Sequence, residues 1–232
     1  MARDSLPRTH SRVALAIGLG LGLGLLAARA ASAEPTLRGD FWAELEPVPQ
    51  EGEPWPLPVE TAAERLVEEA AYVFSGMVSG FEFAYTPLDR ARGLEESFKL
   101  EPVGVLERGD PRLRPGKARL EAGRLVGPVE FLADASDALE LEGYGREPWK
   151  SAQGRGYAEL VLGWKGRRVA YEEAAREAAR SLLRLLEPNK PRLVRGRLVF
   201  ASPPRVAIVD GRYAVTARCR VEVTEVLSYG VY

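Results

Sequence analysis

The stretch PRVAIVDGRYAVTARCRVEVTEV, residues 204–226, decides the fold. Two alternating runs flank Asp210-Gly211. A tight two-residue hairpin turn needs positive φ at both central positions, and Asp-Gly meets that need at little cost. In the second run Val215, Ala217, Cys219, Val221 and Val223 share one face. Thr216, Arg218, Arg220, Glu222 and Thr224 share the other. Cys219, the only cysteine, therefore falls in register with the apolar set and is expected to pack as a small hydrophobe. With one cysteine the chain has no internal disulfide, so its core must carry its stability.

Upstream of the hairpin, RLVRGRLVFA (192–201) reads as a strand. EPNKP (187–191) stops a helix expected over about Arg168–Leu186. The apolar stripe of that helix is Tyr171, Ala174, Ala175, Ala178, Leu182 and Leu185, and its alanines allow close approach to a sheet. Arg176, Arg180 and Arg184 form a basic stripe with Glu172 and Glu177 nearby to pair with them. GYAELVLGW (156–164) alternates as a strand, with Ala158, Leu160, Leu162 and Trp164 on one face, and KGR (165–167) reads as a turn. The order is β-α-β-β.

In the N-terminal half, TAAERLVEEAAYVFSG (61–76) reads as a helix opened by a Thr61/Glu64 capping box and stopped by Gly76. FEFAYT (81–86) alternates, with Phe81, Phe83 and Tyr85 on one side. Asp89 caps a short helical turn, and strands are expected around a Gly/Pro/Asp-rich connection over 99–132. ADASDALELEGYGREPWKSAQGRG (133–156) reads mostly as loop, with a short strand at ALELE. The expectation is an α+β fold of two packed sub-domains, 59–154 and 155–232, each an Ala/Glu-rich helix against antiparallel strands.

The first 33 residues read as a cleavable export signal. Arg3, Arg8 and Arg12 precede an apolar run from Val13 to Ala28, and Ala31 and Ala33 fit cleavage after Ala33. The run is shorter than the ~20 residues a spanning helix needs, and no second one follows. The expected location is periplasmic or secreted, without a transmembrane segment after cleavage. Residues 34–58 carry six prolines and read as an irregular arm pinned by Phe41, Trp42 and Trp55.

The chemistry open to such a chain is narrow. The sole histidine, His10, lies in the signal, which removes His-assisted nucleophilic catalysis and the common zinc sites. Four of the 32 basic residues and one of the 33 acidic ones lie in the signal, so the remainder is weakly acidic and gives no support for a nucleic-acid partner. No cofactor motif is present. A cluster of acids, Glu130, Asp134, Asp137, Glu140 and Glu142, keeps a carboxylate-dependent hydrolase open. The aromatic loop 143–157, with Tyr144, Arg146, Trp149 and Lys150, is the candidate surface for a small molecule, a glycan or a partner. The RGD tripeptides at 38–40 and 108–110 fit chance in an Arg/Gly-rich chain, the second within a turn.

Over residues 155–227 the strand, the helix AYEEAAREAARSLL and the hairpin VDGRYAVTARCRVEV resemble the small α/β module of LPP20-type and flagellar T-ring periplasmic proteins. The resemblance implies a non-enzymatic periplasmic component of an envelope or flagellar assembly, with protein partners. The lipid-bearing cysteine of the lipoprotein members is missing here.

Overall fold

The computed structural model describes residues 35–186 and 191–229. The segment expected to be an export signal, residues 1–33, lies outside the described residues, as does most of EPNKP. Residues Glu34–Tyr232 form one compact unit. Among the described residues ten strands, three α-helices and two 3-10 turns follow in this order: β1 (Thr36–Glu44), α1 (Val59–Val78), β2 (Phe81–Thr86), a turn at Arg90–Arg92, β3 (Ser97–Pro102), β4 (Leu113–Pro115), β5 (Arg119–Glu121), β6 (Arg124–Leu132), α2 (Ala135–Gly143), β7 (Lys150–Glu159), a turn at Leu160–Leu162, α3 (Trp164–Leu186), β8 (Leu193–Phe200), β9 (Arg205–Val209) and β10 (Arg212–Leu227). This is the expected α+β class.

Two antiparallel sheets share the core. The smaller has the order β1-β6-β4, with β5 also on β6. The larger runs β3-β2-β8-β10-β7, with β9 beside β8 on β10. The hairpin forms as expected: Asp210 and Gly211 both take positive φ, 49° and 72°. Tyr213, Val215, Ala217, Cys219 and Val221 of β10 are buried.

α3 lies very close to β7, and glycine is the reason. A β-carbon on Gly154 would sit 2.0 Å from the Ala174 carbonyl oxygen, and one on Gly156 2.1 Å from that of Ala170. The inner face of β7 is thus almost bare backbone. Ala170, Ala174 and Ala178 pack on it with no exposed surface.

Phe200 pairs with Cys219 and Arg205 with Thr216, so the four residues 201–204 oppose only Ala217 and Arg218. β8 and β9 are one interrupted strand along β10. Pro203 and Pro204 have no N–H to give the ladder, and the chain bulges there.

Several expectations are corrected. The arm 34–58 is not irregular throughout: β1 pairs with β6 over its full length. α1 starts at Val59, with Pro58 as its N-cap and no side-chain cap, so Thr61 and Glu64 do not form a capping box. Gly76 does not stop α1. It lies inside the helix, where a β-carbon would sit 2.6 Å from the Phe200 ring, and Gly80 at φ 69° takes the chain out of the helix. ALELE is not a strand but part of α2, capped by Asp134 and Asp137 in a reciprocal box. α3 begins at Trp164, so Leu160 and Leu162 lie in a turn and KGR is helical. The 154/155 division falls inside β7. Moreover β2, from before it, is hydrogen-bonded to β8, from after it, so the two halves share the larger sheet.

Candidate functional site

The sequence-predicted surface is largely folded back on the protein. Tyr144 is buried, and its hydroxyl oxygen lies 2.5 Å from the Val78 carbonyl oxygen and 2.9 Å from the Glu140 carboxylate, the two acceptors sharing one hydroxyl hydrogen. Burial beside Glu140 holds its phenol above the usual tyrosine range. Trp149 packs edge-on against Tyr144 with 4.7 Å between ring centroids. Arg146 and Lys150 are exposed and pair with Glu142 and Glu147. Residues 150–157 belong to β7, so the aromatic loop is a helix end, a short connection and a strand.

The acids are dispersed among separate partners. Asp134 and Asp137 cap α2 and also reach Arg112, at 3.3 and 3.1 Å. Glu130 lies 3.8 Å from Arg38, Glu142 pairs with Arg146, and Glu140 accepts from Tyr144. Among the described residues no group of three or more His, Cys, Asp or Glu is placed to hold a metal ion. In the basic stripe Arg176 pairs with Glu173 rather than Glu172, and Arg180 with Glu96 and Glu177. Arg184 is exposed. Of the RGD acids, Asp110 binds Arg112, which lowers its pKa.

The structure assembles another site, where the two sheets meet. Arg167, read as a turn residue, stands in the first turns of α3 with its side chain 2% exposed. Its Nη1 donates to the Trp42 carbonyl of β1 at 2.6 Å and to Glu69 of α1. The guanidinium carbon lies 3.6 Å from the Trp42 ring centroid and 4.9 Å from that of Trp164. The Tyr171 hydroxyl donates to the other Glu69 oxygen at 2.7 Å. Burial raises the pKa of Glu69, against the lowering pull of Arg167 and Tyr171. Nearby, Tyr213 of β10 donates to Glu44 of β1 at 2.6 Å. One cluster of polar side chains therefore ties β1, α1, α3 and β10 together.

Two hollows flank the cluster, and Glu69 and Tyr171 line both. A cavity of about 320 Å³ lies against Tyr72, Trp164, Lys165 and Arg168. Tyr72 Oη, Arg167 Nε and Arg167 Nη2 are buried without a hydrogen-bond partner, and both residues line this cavity. The second hollow is a groove of about 740 Å³ between residues 38–42 of β1 and residues 203–207 around the start of β9. Both strands are at free edges: among the described residues β1 pairs only with β6, and β9 only with β10. Arg167 shows which way β1 faces. The Trp42 carbonyl turns to it and away from β6, so Asp40 and Arg38, at even spacing, turn their backbone groups to the same free edge. Gly39 leaves room for the Phe41 ring, 2.7 Å from where its β-carbon would be, and lies beside Pro203.

Nothing in the sequence marked this site as one. Glu69 sits among alanines in a helix, Trp42 in a Pro-rich arm and Arg167 beside a glycine. The signal available was an Arg pair on one helix and aromatic positions on three separate elements, which only the topology joins.

A family model matches residues 25–229. A protein of Treponema pallidum (strain Nichols), described as "Uncharacterized protein", is 30% identical over 208 residues, covering 88% of this chain and 86% of that one. No solved structure matches.

Proposed function

From the premise that the chain belongs to the family whose model covers residues 25–229, with the Treponema pallidum protein as a relative, we propose a non-enzymatic assembly protein of the cell envelope that grips an extended segment of a partner protein. The groove between the free edges of β1 and β9 carries this reading. An extended peptide laid there meets unpaired backbone on the β1 side, and added strands gain affinity from such main-chain bonds. Arg38 and Asp40 on β1 and Arg205 on β9 supply charges at the rim. The signal-like first 33 residues and the periplasmic-module resemblance of residues 155–227 support export and assembly. Among the described residues no helix is long and apolar enough to cross a membrane.

A photo-crosslinker in place of Asp40, in the native cell, tests the reading. It should give one discrete adduct with a different protein, absent when the crosslinker replaces exposed Glu121. Adducts only with itself, or the same pattern from both positions, would count against it.

A second reading rests on the smaller cavity. Its volume suits a small ligand, and buried Tyr72 and Arg167 bring unpartnered polar atoms to its wall. Thermal-shift screening with small polar and glycan ligands separates the two. A ligand-induced rise in melting temperature that R168E weakens and D40K does not would favour the cavity.

A further inference from the structure

The larger sheet has one face under α3, and the β7–β10–β9 end of its opposite face is exposed and studded with arginine. The pairing register places the residues. Arg155 of β7 and Arg205 of β9 both stand opposite Thr216 of β10. They are therefore about 10 Å apart on one row, since adjacent strands are spaced about 4.8 Å. Arg218 and Arg220 follow on the same face of β10, each step about 7 Å along the strand. Arg212 completes the set at the other end, 5.0 Å from the Tyr157 ring centroid. Arg155, Arg205 and Arg218 are exposed, while Arg212 and Arg220 are half-buried. Among the described residues none of the five has a carboxylate within ion-pair distance, although the chain forms many ion pairs elsewhere. Glu159, opposite Arg212, is the one acid on this part of the face. Beyond Arg220 the face turns mixed, with Glu222 opposite Arg197 and Arg197 opposite Glu82.

From this placement we infer that the β7–β10–β9 end of the sheet face opposite α3 is a docking surface for an anionic phospholipid membrane, its guanidinium groups seated on headgroup phosphates. The chain as a whole is close to neutral, so the clustering concentrates positive charge on one side. Guanidinium groups are weakly hydrated and bind phosphate oxygens in pairs, which suits a phosphate-bearing surface. Apart from Arg205, which also lines the groove, the array is spread over a sheet face, so it matches a plane of charges better than a single strand of polymer. Tyr157 and Val209, 44% and 46% exposed, stand at one end of the same face. An amphipathic ring beside arginines fits the headgroup layer of a bilayer. No apolar segment enters the bilayer in this reading. The contact is peripheral, electrostatic and reversible.

The surface differs from the groove of the preceding proposal. Arg205 lines both, so the test leaves it untouched. Residues 34–232, the compact unit, are mixed with vesicles of phosphatidylcholine alone or with one quarter phosphatidylglycerol, and sedimented. Binding is expected only to the anionic vesicles and should fall steeply between low and physiological salt. The triple variant R155E/R218E/R220E should bind about tenfold more weakly or worse. R155K/R218K/R220K should keep most of the binding, and both variants should melt within a few degrees of the parent. Equal binding to neutral vesicles, or full binding by the charge-reversed variant, would overturn the inference. So would binding of a single-stranded DNA oligonucleotide as tight as vesicle binding, which would make the surface a site for soluble polyanions. A charge-reversed variant that fails to fold is replaced by the single variant R218E, with a smaller loss expected.

Discussion

Cys219 shows how far one residue can be read. Alternation along β10 placed it among valines and alanines, and it is fully buried there. Loss of hydration pushes its thiol up to about 12. The sign follows from proton counting. The unfolded thiol ionises near pH 8.5 to 9 and the folded one near 12, so between these values the unfolded state releases a proton that the folded state keeps. This contribution to stability is complete below pH 8.5 and is lost as pH rises through that window. Native protein at pH 8 should react with a thiol reagent at least a hundredfold more slowly than protein in denaturant; comparable rates would show a mobile or exposed strand. Arg167 is the opposite case, invisible in sequence and central in space. R167M leaves the Glu69 carboxylate buried without its cation and should cost about 3–5 kcal/mol in denaturant unfolding. Y171F removes one neutral donor to that carboxylate and should cost about 1–2 kcal/mol. If R167M proves no worse than Y171F, the cluster does not hold the two sheets together.

Elements were legible where local chemistry alone specified them. The Asp210-Gly211 hairpin, the β2 alternation and the Asp89 cap needed no tertiary information, and all formed. β1 was missed because its buried positions, Gly39, Phe41 and Ala43, give a weak apolar signal among charges and prolines. α2 was missed because ALELE alternates at period two, while its capping acids Asp134 and Asp137 are less diagnostic than Ser or Thr with Glu. The glycines of β7 carried a message that pattern reading took as loop. Gly154 and Gly156 are there because α3 touches their backbone. G154A should therefore destabilise by about 3 kcal/mol or more, at the top of the range for overpacked sites. G211A, strained only by its positive φ in open space, should cost about 1 kcal/mol. G109A, which meets nothing and needs no special φ, should be near neutral by the same thermal or urea melts. Equal losses at the three positions would refute the close α3–β7 contact.

At the scale of the molecule, pairing between distant segments governs, and no local pattern encodes it. β2 and β8 are joined across more than a hundred residues, and their partnership merges halves that the sequence reads as separate. The same holds for the site: Trp42, Glu69, Arg167 and Tyr171 converge only because β1 returns against β6 while α1 and α3 bring their side chains to it. Shared strands have a thermodynamic consequence. Neither half can leave without exposing Leu198, Phe200 and Phe81 from the common core, so residues 34–232 should unfold in one cooperative step. Far- and near-ultraviolet circular dichroism should give coincident urea transitions. The isolated segment 155–232 tests the point further. It keeps the hairpin and α3 but loses Gly154 with the first half of β7, the β2 edge against β8, and Glu69 opposite Arg167. Its helix then packs on a shortened strand, β8 has an unpaired edge, and Arg167 loses both its carboxylate and the Trp42 ring that covers it. Such a fragment should be unfolded or aggregated at 25 °C, seen as collapsed amide dispersion in its NMR spectrum. A well-dispersed spectrum would mean that the C-terminal β-α-β-β unit folds alone, with the shared sheet as a later docking of two separable modules.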